Sequence, residues 1–321
     1  MRSLISLQGL SIKTSSDGRS LTSDVNISLI EGEALGIVGE SGSGKTLTAL
    51  SILGLLPRGV EVASGEINFN GENLLSIGPE RLREIRGKEI SMVYQDPMTA
   101  LNPVMTVGNQ LLEVLDCHNH DVKDPESHVK QSLIEVGIPD PDRALKSYPH
   151  EFSGGMRQRV VIAMSLLLSP KLLIADEPTT ALDVTIQRQI LSLVSKQRSR
   201  RQMSMLWITH DLGVVANLVD RVAVMYAGRI VEVGTTKQIF NSPQHPYTQG
   251  LLASLPVASS RSRNRLASIP GVPPKPWLVG QSCSFADRCQ FAQKRCRESL
   301  PLLDARGTKS VACFYPIVSS I

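Results

Sequence analysis

Gly39-Glu40-Ser41-Gly42-Ser43-Gly44-Lys45-Thr46 is the stretch that decides the fold of this 321-residue chain. The apolar run Ala34 to Val38 before it predicts a buried strand, and Leu47 to Leu56 after it predicts a helix. A strand, a glycine-rich loop ending in Gly-Lys-Thr and a helix are the context of a phosphate-binding P-loop. The glycines let main-chain N–H groups approach an anion closely. We therefore expect Lys45 to reach the β- and γ-phosphates of a nucleotide, and Thr46 to ligate Mg²⁺.

A second apolar run ends in two acidic residues. Leu172 to Ala175 predicts a strand, and Asp176 and Glu177 follow it directly. In a sheet that also holds the P-loop strand, both carboxylates would emerge beside the phosphates. Asp176 is then expected to hold Mg²⁺, directly or through water, and Glu177 to act as the general base for the attacking water.

A third candidate lies shortly before the acidic strand, where Ser153-Gly154-Gly155 opens a predicted helix that runs to Leu168. Ser153 suits the N-cap position, and the glycines leave the helix N-terminus open to an anion. A capped helix that follows a turn, without any ligand, is the alternative interpretation.

Bulk properties limit the class of protein. The chain is 41% hydrophobic and 20% charged, with a net charge of +4, which is ordinary for a globular protein and too weak to indicate nucleic-acid binding. No run of 18 apolar residues occurs, and residues 1–10 lack the apolar core of a signal peptide. A soluble, cytoplasmic protein is expected, with any membrane role arising through partners.

Taken together, these motifs resemble those of the ATPases of ATP-binding cassette (ABC) transporters. Two of the commonest signature residues, Leu and Gln, are replaced here by Phe152 and Met156. Ser153-Gly154-Gly155 together with Gln158 matches the family signature. The further matches to family motifs are Gln95, Ala181-Leu182-Asp183 and Thr209-His210-Asp211.

The resemblance implies an α/β fold, the P-loop NTPase cassette. Its core is a mixed sheet with N-terminal antiparallel strands and an inserted helical subdomain, followed here by a small C-terminal extension that contains cysteines. The nucleotide-binding domain is expected at residues 1–255, with its helical subdomain at about 104–168. A strap and a four-cysteine module are expected at residues 256–321.

The resemblance also implies ATP and Mg²⁺ as ligands and a head-to-tail pair of cassettes. Lys45, Glu177 and His210 would be catalytic, with His210 orienting the γ-phosphate, and Gln95 would join Thr46 and Asp176 at Mg²⁺. One cassette would hold ATP through Gly39 to Thr46. The residues expected to contact that ATP from the partner cassette are Ser153, Gly154, Gly155, Gln158 and Asp183.

One departure from the family pattern concerns the base of the nucleotide. The family usually stacks adenine on an aromatic residue upstream of the P-loop, but no Phe, Tyr or Trp precedes Phe69 here. The expected equivalent lies near Ile12, so that apolar contact or a partner residue would hold the base.

Further motifs resemble the dipeptide/oligopeptide importer subfamily, which also includes nickel importers. They are Met92 to Pro97 with Leu101-Asn102-Pro103, Tyr148 to Phe152, His245-Pro246-Tyr247-Thr248, and Ile269 to Pro273. This likeness implies two membrane permeases, a second cassette of the same or a similar chain, and an extracytoplasmic solute-binding protein. The chain would sit peripherally on the cytoplasmic face of the inner membrane. Nickel import is the nearer alternative, and a soluble ABC ATPase acting on DNA or ribosomes is the remoter one.

Four of the five cysteines lie after residue 280, at Cys283, Cys289, Cys296 and Cys313. A disulfide is disfavoured in a cytoplasmic protein, and four thiolates suit zinc or an iron–sulfur cluster. The subfamily resemblance implies a [4Fe–4S] cluster, which would order the segment rather than carry redox chemistry. Four free, buried thiols and a redox or metal sensor are the alternatives.

Three other features are predicted to be structural. Cys117-His118-Asn119-His120 is read as a hydrophilic loop rather than a metal site, and Trp207 as a core residue in a strand. The basic run Lys196 to Arg201 is read as a solvated face after a helix.

Overall fold

The computed structural model describes residues 3–118, 122–180, 182–255, 268–306 and 309–317. The strands are β1 (Ser3–Thr14), β2 (Ser20–Ile30), β3 (Ala34–Val38), β4 (Val60–Phe69), β5 (Glu72–Asn73), β6 (Ile90–Val93), β7 (Leu172–Asp176), β8 (Ser204–Thr209), β9 (Arg221–Tyr226), β10 (Arg229–Thr235), β11 (Asp304–Arg306) and β12 (Lys309–Val311). The α-helices are α1 (Lys45–Ile52), α2 (Pro79–Ile85), α3 (Pro97–Ala100), α4 (Val107–Cys117), α5 (Pro125–Glu135), α6 (Pro141–Lys146), α7 (Gly154–Leu166), α8 (Val184–Arg201), α9 (Leu212–Val215), α10 (Thr236–Asn241), α11 (Pro246–Ala253) and α12 (Lys294–Glu298). Short 3-10 turns occur at Pro149–Glu151, Pro276–Leu278 and Ala286–Arg288.

The chain folds into two compact units. The P-loop unit lies within residues 1–30, 34–75 and 207–321, and the helical unit within residues 31–33 and 76–206. The boundary falls inside β8, so that both units use part of this strand. The predicted domain division at residue 255 follows a different criterion and stays a prediction.

The N-terminal strands of the P-loop unit form an antiparallel sheet in the order β2-β1-β4-β5. β1 is one strand, and its register with β2 shifts between Leu7 and Leu10. Gly9, with a φ of 58°, lies at this irregularity and takes a conformation that glycine adopts without strain.

The second sheet carries the P-loop. In the P-loop unit its order is β11-β12-β10-β9-β3-β8, and in the helical unit it is β8-β7-β6. β3 pairs in parallel with β9, and β6 pairs in parallel with β7. All five residues of β3 are buried, which explains why its sequence is an unbroken apolar run. Ala34 to Val38 was predicted with these same bounds.

Several helices of the helical unit are capped at their N-termini and bury one apolar face. α4, α5 and α6 begin at Thr106, Asp124 and Asp140, whose side chains each accept a hydrogen bond from a main-chain N–H of the first turn. Their buried faces include Leu111 and Leu133. These helices lie inside the region predicted as a helical subdomain, whose bounds stay a prediction.

Three helix ends differ from the sequence prediction. α7 ends at Leu166 rather than Leu168. α1 stops at Ile52 rather than Leu56, because Gly54 follows with a φ of 60° that interrupts helical geometry. α8 continues to Arg201, so Lys196 to Arg201 forms the end of a helix rather than a segment after it. Cations in a last helical turn interact favourably with the helix dipole. In addition, Arg201 forms a 2.6 Å ion pair with Glu135.

Trp207 is fully buried in β8, which confirms it as a core residue. No helix within the described ranges is long and apolar enough to cross a membrane. Asn119, His120 and Ala181, which belong to motifs discussed above, lie outside the described residues.

A buried polar network ties the C-terminal hairpin to the P-loop unit. The Glu232 carboxylate is fully buried and forms a 2.8 Å ion pair with Lys309 of β12. Its oxygens also accept the main-chain N–H groups of Gln244 at 2.7 Å and His245 at 3.0 Å. His245 Nδ1 accepts the N–H of Tyr247 at 3.1 Å at the start of α11. Burial lowers the pKa of His245 to about 4, although Glu232 opposes the shift.

This lowered pKa predicts a specific loss of stability in acid. The unfolded chain protonates His245 below its ordinary pKa of 6.5, whereas the folded chain resists protonation until about pH 4. The stability that neutral His245 confers is therefore present above pH 6.5 and lost as the pH falls toward 4, by about 3 kcal/mol. Thermal melting at pH 7.5 and pH 5 measures the effect. His245→Asn keeps an N-cap acceptor without a titrating ring, so its Tm should fall less than that of the wild type. Equal falls would contradict the assignment.

Candidate nucleotide-binding site

The backbone of the P-loop requires glycine at two positions in particular. A Cβ on Gly39 would lie 2.1 Å from the carbonyl oxygen of Met225, a main-chain atom that has no freedom to yield. Gly44 has a φ of 103°, and a Cβ there would lie 2.6 Å from Thr22 Cγ2. The loop is therefore pressed against the end of β9 on one side and against β2 on the other.

Lys45 is buried at the start of α1 and points back across the loop. Its Nζ donates to the carbonyl oxygens of Gly39 at 2.8 Å and Glu40 at 2.9 Å, and lies 3.5 Å from Ser43 Oγ. Thr46 is exposed in the first turn of the same helix. The predicted phosphate ligands thus share one loop and one helix N-terminus.

Glu40 is held at each of its polar groups. Its N–H donates to the Tyr247 hydroxyl at 2.9 Å, and its carbonyl oxygen accepts from Lys45. Its carboxylate receives both Nη atoms of Arg288, at 2.7 and 3.0 Å. Arg288 also donates to the Tyr226 hydroxyl at 3.2 Å. The ion pair with Glu40 raises the pKa of Arg288, so the guanidinium stays charged.

Tyr247 and Arg288 are site residues that the sequence analysis missed. They lie 207 and 248 positions from Glu40 along the chain, and no local pattern connects such distant residues. Tyr247 belongs to the His245-Pro246-Tyr247-Thr248 motif, which was the only available signal for it.

Replacing Arg288 by Ala should weaken MgATP binding by about tenfold. The substitution leaves the Glu40 carboxylate uncompensated in the loop that receives phosphates, and a bidentate, mostly buried ion pair is worth about 1–2 kcal/mol. Isothermal titration of MgATP measures the dissociation constant. Adding Glu40→Gln to the Arg288→Ala variant removes the unpaired charge and should recover part of the affinity. An Arg288→Ala variant with wild-type affinity would contradict this role.

The predicted general base lies in the helical unit, directly after β7. Glu177 Oε2 accepts from Thr180 Oγ1 at 3.0 Å and from Gln95 Nε2 at 3.4 Å. Glu177 has a φ of 45°, a strained conformation for a residue with a side chain. Such strain concentrates at functional sites. Asp176, the last residue of β7, is buried. The structure thus brings Gln95 and Glu177 together, with Asp176 next to Glu177 in the chain.

The residues predicted to act on a partner's nucleotide also lie in the helical unit. Ser153 is exposed and caps α7 by accepting the N–H of Met156 at 3.3 Å, with Gly154 exposed beside it. Asp183 is exposed and caps α8 by accepting the N–H of Ile186 at 2.9 Å. These side chains therefore have structural roles as N-caps, and their contacts with a partner's nucleotide stay predictions.

Gln158 requires a correction. It was expected to reach the nucleotide of a partner cassette, but its side chain is fully buried on the inner face of α7. Neither of its amide atoms has a hydrogen-bond partner within the described part of the chain. A side chain in this position contacts its own unit and not a ligand outside it.

His210 lies in the P-loop unit, where it follows β8 and is exposed. Asp211 beside it caps α9 by accepting the N–H of Gly213 at 2.8 Å. The expected neighbour of the base, Ile12, is fully buried inside the N-terminal sheet. Ile12 itself therefore offers no surface to a nucleotide, and of the two expected ways to hold the base a partner residue stays a prediction.

The four cysteines of the C-terminal segment, defined here as residues 268–306 and 309–317, are free thiols. The N–H of Cys283 donates to the carbonyl oxygen of Cys296 at 2.9 Å. Burial raises the pKa of Cys283 to about 11, with smaller contributions from Cys296, Cys313 and Cys289. Among the residues that the structure places, however, no group of three or more His, Cys, Asp or Glu side chains is arranged to hold a metal ion. The thiols are neighbours, but they do not form an assembled metal site.

Comparison with known families gives two matches along the chain. Residues 22–180 match the family described as ABC transporter, and residues 231–296 match the oligopeptide/dipeptide transporter C-terminal region. The second match includes both Tyr247 and Arg288, the two residues that hold Glu40.

Individual relatives are similar over most of their length. A probable peptide ABC transporter ATP-binding protein of Sinorhizobium fredii is 53% identical, over 90% of this chain and 88% of its own. The oligopeptide transport ATP-binding protein OppD of Bacillus subtilis is 53% identical, over 84% of this chain and 76% of its own. The dipeptide transport ATP-binding protein DppD of the same organism is 48% identical, over 94% of this chain and 91% of its own.

Solved structures share the cassette fold. The dimeric, post-hydrolysis ATP-binding cassette MJ0796, bound to ADP and Pi, is 25% identical with a TM-score of 0.64 and covers 72% of this chain and 98% of its own. The protein cbiO1 of Clostridium perfringens is 27% identical with a TM-score of 0.65, and the match covers 75% of this chain and 92% of its own. The P-loop, the acidic end of β7 and these likenesses lead to one conclusion: the chain is an ATP-hydrolysing, ATP-binding subunit of the ABC transporter family.

Proposed function

We propose that this chain hydrolyses ATP to energise the uptake of peptides through separate membrane subunits. The observation that carries the proposal is Glu177, held by Gln95 and Thr180 at the end of a buried strand, in a chain that also has a complete P-loop. The peptide class is supported by relatives that are named as dipeptide and oligopeptide transport proteins. Peptides are therefore favoured over nickel.

The proposed chemistry assigns one task to each side chain. Lys45 and the main-chain N–H groups of Gly39 to Thr46 bind the β- and γ-phosphates. Thr46, Asp176 and Gln95 would hold Mg²⁺, which would neutralise phosphate charge when bound. Glu177 accepts the proton of the attacking water. His210 orients the γ-phosphate.

We propose that a second cassette closes this site. Ser153, Gly154 and Gly155 at the exposed start of α7 would meet the γ-phosphate of the partner's nucleotide, together with Asp183. The main-chain N–H groups and the dipole at a helix N-terminus favour such an anion. Gln158 is left out of this set because its side chain is buried.

The surface proposed for the permeases lies in the helical unit. Met98, Val104 and Tyr148 are large apolar residues with exposed fractions of 57%, 79% and 40%. Met98 and Val104 flank Leu101-Asn102-Pro103, the motif of the importer subfamily. Exposed apolar side chains of this kind are typical of protein–protein contacts. Two permeases and an extracytoplasmic binding protein would place the chain peripherally on the cytoplasmic face of the membrane.

Affinity purification from gently solubilised native membranes tests this proposal. The tagged wild type should recover two multispanning permeases and a cassette partner, identified by mass spectrometry. Val104→Asp should lose the permeases without changing ATP binding. Val272→Asp, at an exposed valine of the P-loop unit, is the matched control and should retain them. Recovery with ribosomal or DNA-bound proteins instead of permeases would contradict the transport role.

The [4Fe–4S] cluster is a separate proposal and supplies no step to ATP hydrolysis. It is supported by the proximity of four thiols in one short segment and opposed by their present arrangement. Iron and acid-labile sulfide are measured in protein purified without oxygen. About four iron atoms per chain would support the cluster. An iron content near zero, with the fold intact, would exclude it.

A further inference from the structure

We propose that Trp277, in the C-terminal segment, is the platform on which the base of the bound nucleotide stacks. The inference rests on the proposed function, because it requires a nucleotide at the P-loop. It assigns to the C-terminal segment a direct contact with the ligand, in place of a residue from the N-terminal strands.

The N-terminal strands offer no platform of their own. The first aromatic residue in the sequence is Phe69, which is fully buried at the end of β4. Ile12, the nearest candidate by position, is fully buried as well. A base stacks on an exposed, flat face, and neither side chain presents one.

Trp277 lies next to elements that pack against the P-loop. Its neighbour Pro276 has its Cβ 3.3 Å from the point where a Cβ on Gly228 would stand. The N–H of Gly228 donates to the carbonyl oxygen of Ser43 at 2.9 Å. Gly228 therefore lies between the short 3-10 turn that holds Trp277 and the phosphate-binding loop.

A second set of contacts, made by Arg19 and Thr22, also places Trp277 beside elements that border the P-loop. Arg19, the residue before β2, has its Cζ 5.6 Å from the centre of the Trp277 ring. Farther along β2, Thr22 lies against Gly44 of the P-loop. Trp277 is thus bracketed by the β9–β10 turn and by the start of β2, both of which border the loop.

The chemistry at Trp277 suits a nucleotide. Its indole is partly exposed, whereas Trp207, the other tryptophan of the sequence, is fully buried. The cations of Arg19 and Lys275 lie 5.6 and 5.3 Å from the ring centre. Their long, flexible side chains can yield a face of the ring to a base, and their positive charges favour an anionic ligand beside it.

The test compares MgATP with inorganic tripolyphosphate, which has the phosphates but no base. Trp277→Ala should raise the dissociation constant of MgATP about tenfold, as expected for one base–aromatic stack, and leave that of tripolyphosphate within about twofold. Trp277→Phe keeps a flat ring and should retain most of the affinity. Leu278→Ala, at an exposed residue of the same turn, is the matched control and should change neither constant.

Tryptophan fluorescence gives a second readout. MgATP should change the emission of the wild type but not that of Trp277→Ala, because buried Trp207 is then the remaining fluorophore. Wild-type affinity of Trp277→Ala for MgATP would overturn the inference. So would equal weakening of MgATP and tripolyphosphate, because that pattern indicates a structural role. A wild-type chain that binds no MgATP would instead refute the proposed function itself.

Discussion

Glu177→Gln should lower the ATP turnover of the chain by at least about 100-fold while the dissociation constant of MgATP stays within about threefold. The amide keeps the size of the side chain and its hydrogen bonds to Thr180 and Gln95, but it has no basicity toward the attacking water. General bases contribute about 10²–10⁴-fold to such reactions. Phosphate release at saturating MgATP measures turnover, and isothermal titration measures binding.

Two further variants separate this role from a structural one. Glu113→Gln alters an exposed carboxylate of α4 in the same unit and should leave turnover unchanged. Thr180→Val removes the 3.0 Å hydrogen bond that orients Glu177 and should give an intermediate loss. Turnover of Glu177→Gln above half the wild-type value would show that Glu177 is not the base.

Lys45→Gln should raise the dissociation constant of MgATP by at least about 100-fold. The substitution removes the cation proposed to bind the β- and γ-phosphates, and a buried charge–phosphate interaction is worth several kcal/mol. It also removes the donor that holds the carbonyl oxygens of Gly39 and Glu40.

The control for Lys45→Gln is Lys88→Gln, which removes an exposed charge in the helical unit. This variant should bind MgATP as the wild type does. Thermal melting shows that Lys45→Gln is folded before its affinity is interpreted. Retention of wild-type affinity in a folded Lys45→Gln chain would contradict the assignment of the P-loop.

The fold was predictable wherever burial alone determines the pattern. Ala34 to Val38 reads as a strand because both faces are covered, and α4 and α5 show the apolar spacing of half-buried helices. The predicted helix ends were wrong where a single residue or a contact distant in sequence determines where the helix stops. Gly54 ends α1 early, and the ion pair between Arg201 and Glu135 accompanies an α8 longer than its apolar residues suggest.

The residues of the candidate site likewise differ in how far the sequence predicts them. Gly39 to Thr46 and Asp176-Glu177 are contiguous, so that their spacing predicts their chemistry. Arg288 and Trp277 approach the P-loop only through the folding of the C-terminal segment, and Tyr247 does so through the placement of α11. No sequence periodicity encodes either approach. The prediction that Gln158 contacts a nucleotide was wrong because a motif match carries no information about which face of α7 is buried.

Accumulation of a radiolabelled dipeptide by cells of the native host tests the central claim most directly. The host should carry either the wild-type chain or Glu177→Gln at its own locus, in equal amounts. The account predicts that Glu177→Gln reduces dipeptide accumulation to the level of cells without the chain, while nickel accumulation is unchanged. Undiminished dipeptide accumulation, with loss of nickel or another solute instead, would contradict it.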